Sequence, residues 1–101
     1  MTLTKAQEKV LRTEARNRKP VIWIGQQGLT VNVLAEIESA LNHHELIKIR
    51  LRAGDREMRD VLIADLCART GAMSVQRIGN TVALYRMNKE NPKIISHQPQ
   101  E

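Results

Sequence analysis

Short apolar stretches alternate with polar breaks along the chain, and the period of each stretch separates helices from strands. Thr4 and Gln7 stand at capping-box spacing, in which each side chain satisfies the other's backbone donor, so a first helix is predicted over Lys5 to Asn17. Pro20 stops helical continuation, and the unbroken run Val21-Ile22-Trp23-Ile24 before Gly25 predicts a strand buried on both faces, which favours Trp23 as core, a stacking surface being the alternative. Thr30 is placed to cap a second helix from Val31 to Asn42, with Leu34, Ile37 and Leu41 on one stripe and Glu36 and Glu38 outside it. After His43 and His44 the period falls to two: Ile47, Ile49 and Leu51 alternate with Lys48, Arg50 and Arg52.

Gly54 and Asp55 break that strand and cap a third helix, Arg56 to Thr70, which turns Leu62, Ile63, Leu66 and Cys67 inward and stops at Gly71. Segments Ser74 to Ile78 and Thr81 to Tyr85 flank Gly79-Asn80, a connection suited to an antiparallel hairpin. The order α-β-α-β-α-β-β predicts an α/β two-layer sandwich with a four-stranded mixed sheet, the second helix forming a right-handed crossover between the first two strands. Residues 1–87 are expected to form one domain. Residues 88–101 lack a sustained period and are expected to be a flexible tail in which Ile94 and Ile95 could dock.

A length of 101 residues with 42% apolar and 27% charged side chains fits a single soluble domain and excludes a large multi-domain enzyme. The net charge of +5 favours polyanionic partners, and it is unevenly placed. Residues 1–30 hold six basic and two acidic side chains. No apolar run is long enough for a bilayer, the start has no secretory character, and the single cysteine, Cys67, cannot close an internal disulfide or a Cys-rich zinc site. The expectation is a cytoplasmic protein with no membrane partner.

Gly25-Gln26-Gln27-Gly28 opens the second helix, where glycines let the backbone approach a phosphate and the first helical amides favour an anion. Without the lysine and Ser/Thr of a P-loop or the third glycine of a dinucleotide fingerprint, neither a nucleotide cofactor nor a small-molecule substrate is indicated. Lys5, Lys9, Arg12 and Arg16 fall on one helical stripe. Lys48, Arg50 and Arg52 share one strand face, where like charges repel unless an anion relieves them. A plain tight turn and a hydrated charged face are the competing structural readings of these features. With only Trp23 and Tyr85 as aromatics, a platform for several unpaired bases is excluded, so phosphate contact and helix shape should dominate. His43 and His44 lack further ligands at metal spacing, and no nucleophile, base and orienter form a set, so neither metal nor catalysis is expected.

The segments Gly25-Gln26-Gln27-Gly28-Leu29-Thr30, Val33-Leu34-Ala35-Glu36-Ile37, His43-His44-Glu45-Leu46-Ile47-Lys48, Asp55-Arg56-Glu57, Ile78-Gly79 and Leu84-Tyr85-Arg86 together resemble the CRM domain (chloroplast RNA splicing and ribosome maturation) in its stand-alone bacterial YhbY-like form. The resemblance runs from about Thr4 to Arg86. It implies a non-catalytic domain that binds structured RNA in precursors of the large ribosomal subunit, with a fold similar to the C-terminal domain of translation initiation factor three. It likens Gly25 to Gly28 to the RNA-contacting loop of KH domains. Met87 stands where the family usually has proline, and the loop carries two glutamines and no lysine, which leaves backbone amides as its donors. The expected RNA-binding set is therefore Gly25, Gln26, Gln27, Gly28, Lys5, Lys9, Arg12, Arg16, Lys48, Arg50, Arg52 and Arg86. A module that docks an acidic protein surface is the alternative.

Overall fold

The computed structural model describes residues 2–52 and 54–95. Seven elements follow in order: α1 (Lys5–Arg16), β1 (Pro20–Ile24), α2 (Val31–His44), β2 (Leu46–Leu51), α3 (Arg56–Thr70), β3 (Met73–Ile78) and β4 (Thr81–Tyr85). Their ends lie where the local chemistry puts them. Thr4 and Gln7 close the reciprocal capping box, Thr30 and Asp55 accept from the amides of Val33 and Met58, and Gly71 terminates α3 at φ +74°.

The sheet order is β1-β2-β4-β3, with β1 and β2 parallel and the other two pairings antiparallel. This is the mixed four-stranded α/β architecture that the element order predicts. Ile22, Ile24, Ile47, Ile49, Leu51, Val82 and Leu84 project from one sheet face onto Ile37 and Leu41 of α2 and Ile63 and Leu66 of α3. Each such aliphatic side chain contributes about 1.5–3 kcal/mol by leaving water, which makes this layer pair the main source of stability.

The strand residues of opposite parity face the other way, and there Leu46, Ala83 and Tyr85 lie beneath Leu11 and Ala15 of α1. Helix α1 packs on β2 and β3, so it covers the end of the sheet near Leu46 and leaves the rest of that face open. The sheet with α2 and α3 supplies two layers; α1 adds a partial third.

Strand β1 departs from the expectation of burial on both faces. Ile22 and Ile24 are buried, but Val21 and Trp23 are half exposed, at 50% and 49%. The reason is position: β1 is an edge strand, and α1 lies over other strands.

The segment from Asn88 returns to the domain as far as Ile95, and residues 96–101, the rest of the expected tail, lie outside the described residues. Glu45 holds it. This fully buried residue caps α2 at φ +64°; its Oε2 accepts from the Asn88 amide at 2.7 Å, and its Oε1 from those of Lys93 at 3.0 Å and Ile94 at 3.2 Å. Ile95, thus returned to the domain, is 6% exposed in the cluster beneath α1.

Two stability predictions follow from this second cluster. Glu45→Ala leaves three amides without their acceptor and should cost about 2–4 kcal/mol in urea unfolding, with Glu45→Gln costing less because an amide oxygen still accepts. An unchanged urea midpoint for the alanine variant would show that the clasp holds nothing. Tyr85 is fully buried, and its hydroxyl has no hydrogen-bond partner among the described residues. Burial first, and then the charge of Glu45, push its phenol up to about 12. An unfolded phenol ionises near pH 10, so the native state binds the proton more tightly, and stability present below pH 10 should fall as pH rises toward 12. Tyr85→Phe should remove that alkaline slope in a series of melting curves while leaving neutral-pH stability equal or higher, because a buried hydroxyl without a partner costs about 1–3 kcal/mol.

Candidate nucleic-acid interface

The loop Gly25 to Gly28 leaves the sheet at the C-terminal end of β1 and enters α2 through the Thr30 cap. The Gly28 amide donates to the Gly25 carbonyl at 3.0 Å, which closes a tight turn, and Gly28 sits at φ +72°, where a side chain is strained. Gly25 differs: its backbone has no such φ, and a Cβ there would meet no atom within 4 Å. Gln26 and Gln27, at the tip, are exposed.

Some of the loop's donors are already engaged. The amides of Gly28, Thr30 and Val33 bond to the Gly25 carbonyl, the Gly28 carbonyl and the Thr30 hydroxyl. An anion would therefore meet the tip amides of Gln26 and Gln27 and those of Val31 and Asn32 in the first turn of α2, where the helix dipole adds its partial positive charge.

Arg52 is held beside this loop because its amide donates to the Ile24 carbonyl at 2.8 Å, immediately before Gly25. Arg52 lies one residue beyond the end of β2, so it does not share the strand face as expected; Lys48 and Arg50 of β2 point to the sheet face opposite the main core, in register with Pro20 and Trp23 of β1. Lys48, Arg50, Pro20, Gln76, Ile78 and Thr81 line an open recess of about 160 Å³ on that face.

The basic stripe lies on α1 at the other end of the sheet. At about 100° per residue, Lys5, Lys9, Arg12 and Arg16 lie roughly 100–160° to one side of Leu11. Leu3, ahead of the Thr4 cap, shares its cluster with Ile94, Ile95 and Met87. The rise from Leu46 to Leu51 is about 17 Å. Lys5, Lys9 and Arg16 are exposed; Arg12 lies 3.7 Å from Glu8 in a solvent-facing pair of little energy.

Arg86 stands apart from this set. Its guanidinium donates to Glu38 at 2.9 Å, to the Thr70 carbonyl at 2.8 Å and to Asn42 at 2.9 Å, so its charge and most of its donors bind α2 to the end of α3. The expectation that it contributes to a basic surface is replaced by an internal role.

Two features are not fixed by the sequence. Core is the favoured reading of Trp23 because its four-residue run has no polar interruption, and nothing local marks a strand as an edge, the position that leaves it half exposed. Arg56, Arg59 and Arg77 meet around Gly79, from α3 and β3, with Arg77 paired to Asp60 and Arg59 donating to the Gly54 carbonyl. Their separation along the chain left no pattern to read.

The remaining candidates for chemistry are accounted for locally. The His43 ring nitrogen lies 2.8 Å from the Ser39 carbonyl, and burial pushes the Cys67 thiol up, the opposite of an activated nucleophile. Among the described residues no cluster of His, Cys, Asp or Glu is placed to hold a metal ion, and no helix is long and apolar enough to cross a membrane.

Comparison with known proteins bears on the family and the fold. A protein of Haemophilus influenzae named as an RNA-binding protein is 45% identical over 89 residues, which span 88% of this chain and 90% of its own. A probable RNA-binding protein of Pseudomonas aeruginosa is 41% identical over 97 residues, 96% of this chain and 93% of the relative. The solution structure of a hypothetical Staphylococcus aureus protein, proposed to bind RNA, superposes with a TM-score of 0.79 at 33% identity, covering 93% of this chain and 98% of that one. The CRS1/YhbY (CRM) domain family matches residues 3–86, the span that carries every element of the sheet and its helices. The chain belongs to the CRS1/YhbY (CRM) domain family.

Proposed function

We propose that this protein is a non-catalytic RNA-binding protein that acts on structured RNA of the large ribosomal subunit during its assembly. The observation that carries the reading is the placement of the exposed Gly25–Gly28 loop, Arg52 anchored beside it, and Lys48 and Arg50 on an open sheet face. Lys5, Lys9 and Arg16 of α1 are exposed and add to the positive charge available to a polyanion. Such a surface binds a sugar-phosphate chain by charge and shape. Membership of the CRM family and relatives named as RNA-binding proteins support RNA as the polyanion. The large-subunit assignment rests on the family resemblance, and nuclease treatment of a lysate tests it against an acidic protein partner: RNA-held protein is released from large particles, protein-held protein stays.

If Lys5, Lys9, Arg12, Arg16, Lys48, Arg50 and Arg52 all meet phosphates, log affinity should fall with log salt at a slope of roughly −5 to −6. A flat response for ribosomal RNA between low and moderate salt would contradict the reading. Gln27→Glu, at the exposed tip, should weaken binding with little change in stability.

The two glycines should separate fold from binding. Gly28→Ala forces a side chain into the left-handed region and should cost about 1–2 kcal/mol of stability. Gly25→Ala fits open space and should leave the melting temperature unchanged, while its methyl holds a phosphate away from the backbone and lowers RNA affinity. Equal affinity for Gly25→Ala and the parent in filter binding would remove the loop from the interface.

A further inference from the structure

Trp23 is 49% exposed although both of its neighbours, Ile22 and Ile24, are sealed in the main core. It stands in register with Arg50 on the sheet face that also carries Lys48, and one residue separates it from Gly25. The indole thus lies about 7 Å along the strand from the loop, close enough that a chain with a phosphate at the loop amides can lay a base on the ring. Among the described residues, the aromatic contact present is between His43 and His44; no ring stacks on Trp23.

We infer that Trp23 is a stacking platform for a single unpaired nucleobase of RNA whose phosphates are held by the loop, Lys48 and Arg50. The inference rests on the RNA-binding reading and adds to it that the bound RNA presents at least one open base. Charge selects this occupant. An apolar protein surface laid on the ring would strip water from Arg50 and Lys48 without replacing it, whereas a nucleotide offers a flat face to the indole and an anion to the cations. The platform takes one base because Tyr85, the other aromatic of the Phe, Trp and Tyr set, is fully buried. The loop also borders a groove of about 600 Å³ on the side of α3, where Met58 and Val61 are exposed. Its one ionisable lining side chain, Asp65, is acidic, so that side repels a phosphate.

The sole tryptophan of the chain makes the test direct, since its emission reports on position 23 alone. The native protein is titrated with a short adenine-rich single-stranded RNA and with a blunt RNA duplex, and emission and filter retention are followed together. Emission should be quenched by the single strand in step with its retention, and far less by the duplex. Trp23→Ala should weaken single-strand binding about 5- to 150-fold, the loss of one base–aromatic stack, and Trp23→Phe should keep most of the affinity. Far-UV circular dichroism checks that both variants fold. Retention of RNA with unchanged emission, equal quenching by duplex and single strand, or equal affinity for Trp23→Ala would overturn the stacking inference and leave RNA binding intact. Retention of neither RNA would overturn the RNA-binding reading itself.

Discussion

The two-residue alternation of β2 is the constraint on which the rest of the molecule depends. As a central strand between β1 and β4 it must bury Ile47, Ile49 and Leu51 against α2 and α3, and that requirement turns Leu46, Lys48 and Arg50 to the opposite face. A shift of one residue would bring two cations into the core, at a cost no packing could offset. The register that stabilises the sheet is therefore also the register that presents its charge.

How much of that charged face stays open is decided by α1 and by the clasp at Glu45. Leu11 and Ala15 settle over Leu46, Ala83 and Tyr85, and the segment through Ile95 closes the cluster from the flank where Leu3 lies. The Glu45 carboxylate holds three backbone amides of that segment and so fixes where the tail meets the domain. A buried acid at a positive φ is a costly residue, and its cost is offset by fixing where the helix and tail sit.

The edge position of β1 has two consequences for function. It frees the end of the strand to run into the loop Gly25 to Gly28, and it leaves Trp23 uncovered beside Arg50. An exposed aromatic on an edge strand invites unwanted pairing, which the neighbouring cations oppose by repelling a second copy of the same basic chain. The same cations attract a nucleic acid.

Most of the fold was legible in the sequence because its signals are local. Thr4 with Gln7, Thr30 with Val33 and Asp55 with Met58 act across three residues, and the alternation in β2 acts across two, so neither needs knowledge of distant packing. The loop and the sign of its surrounding charges were legible for the same reason. Tertiary structure alone decided the strand order that makes β1 an edge, the half of the sheet that α1 leaves open, the capture of Arg86 by Glu38, Asn42 and Thr70, and the clasp between Glu45 and residues 88–94. Each of these joins residues far apart along the chain, and a residue's own neighbours carry no record of which distant surface arrives to cover it, or of which never does.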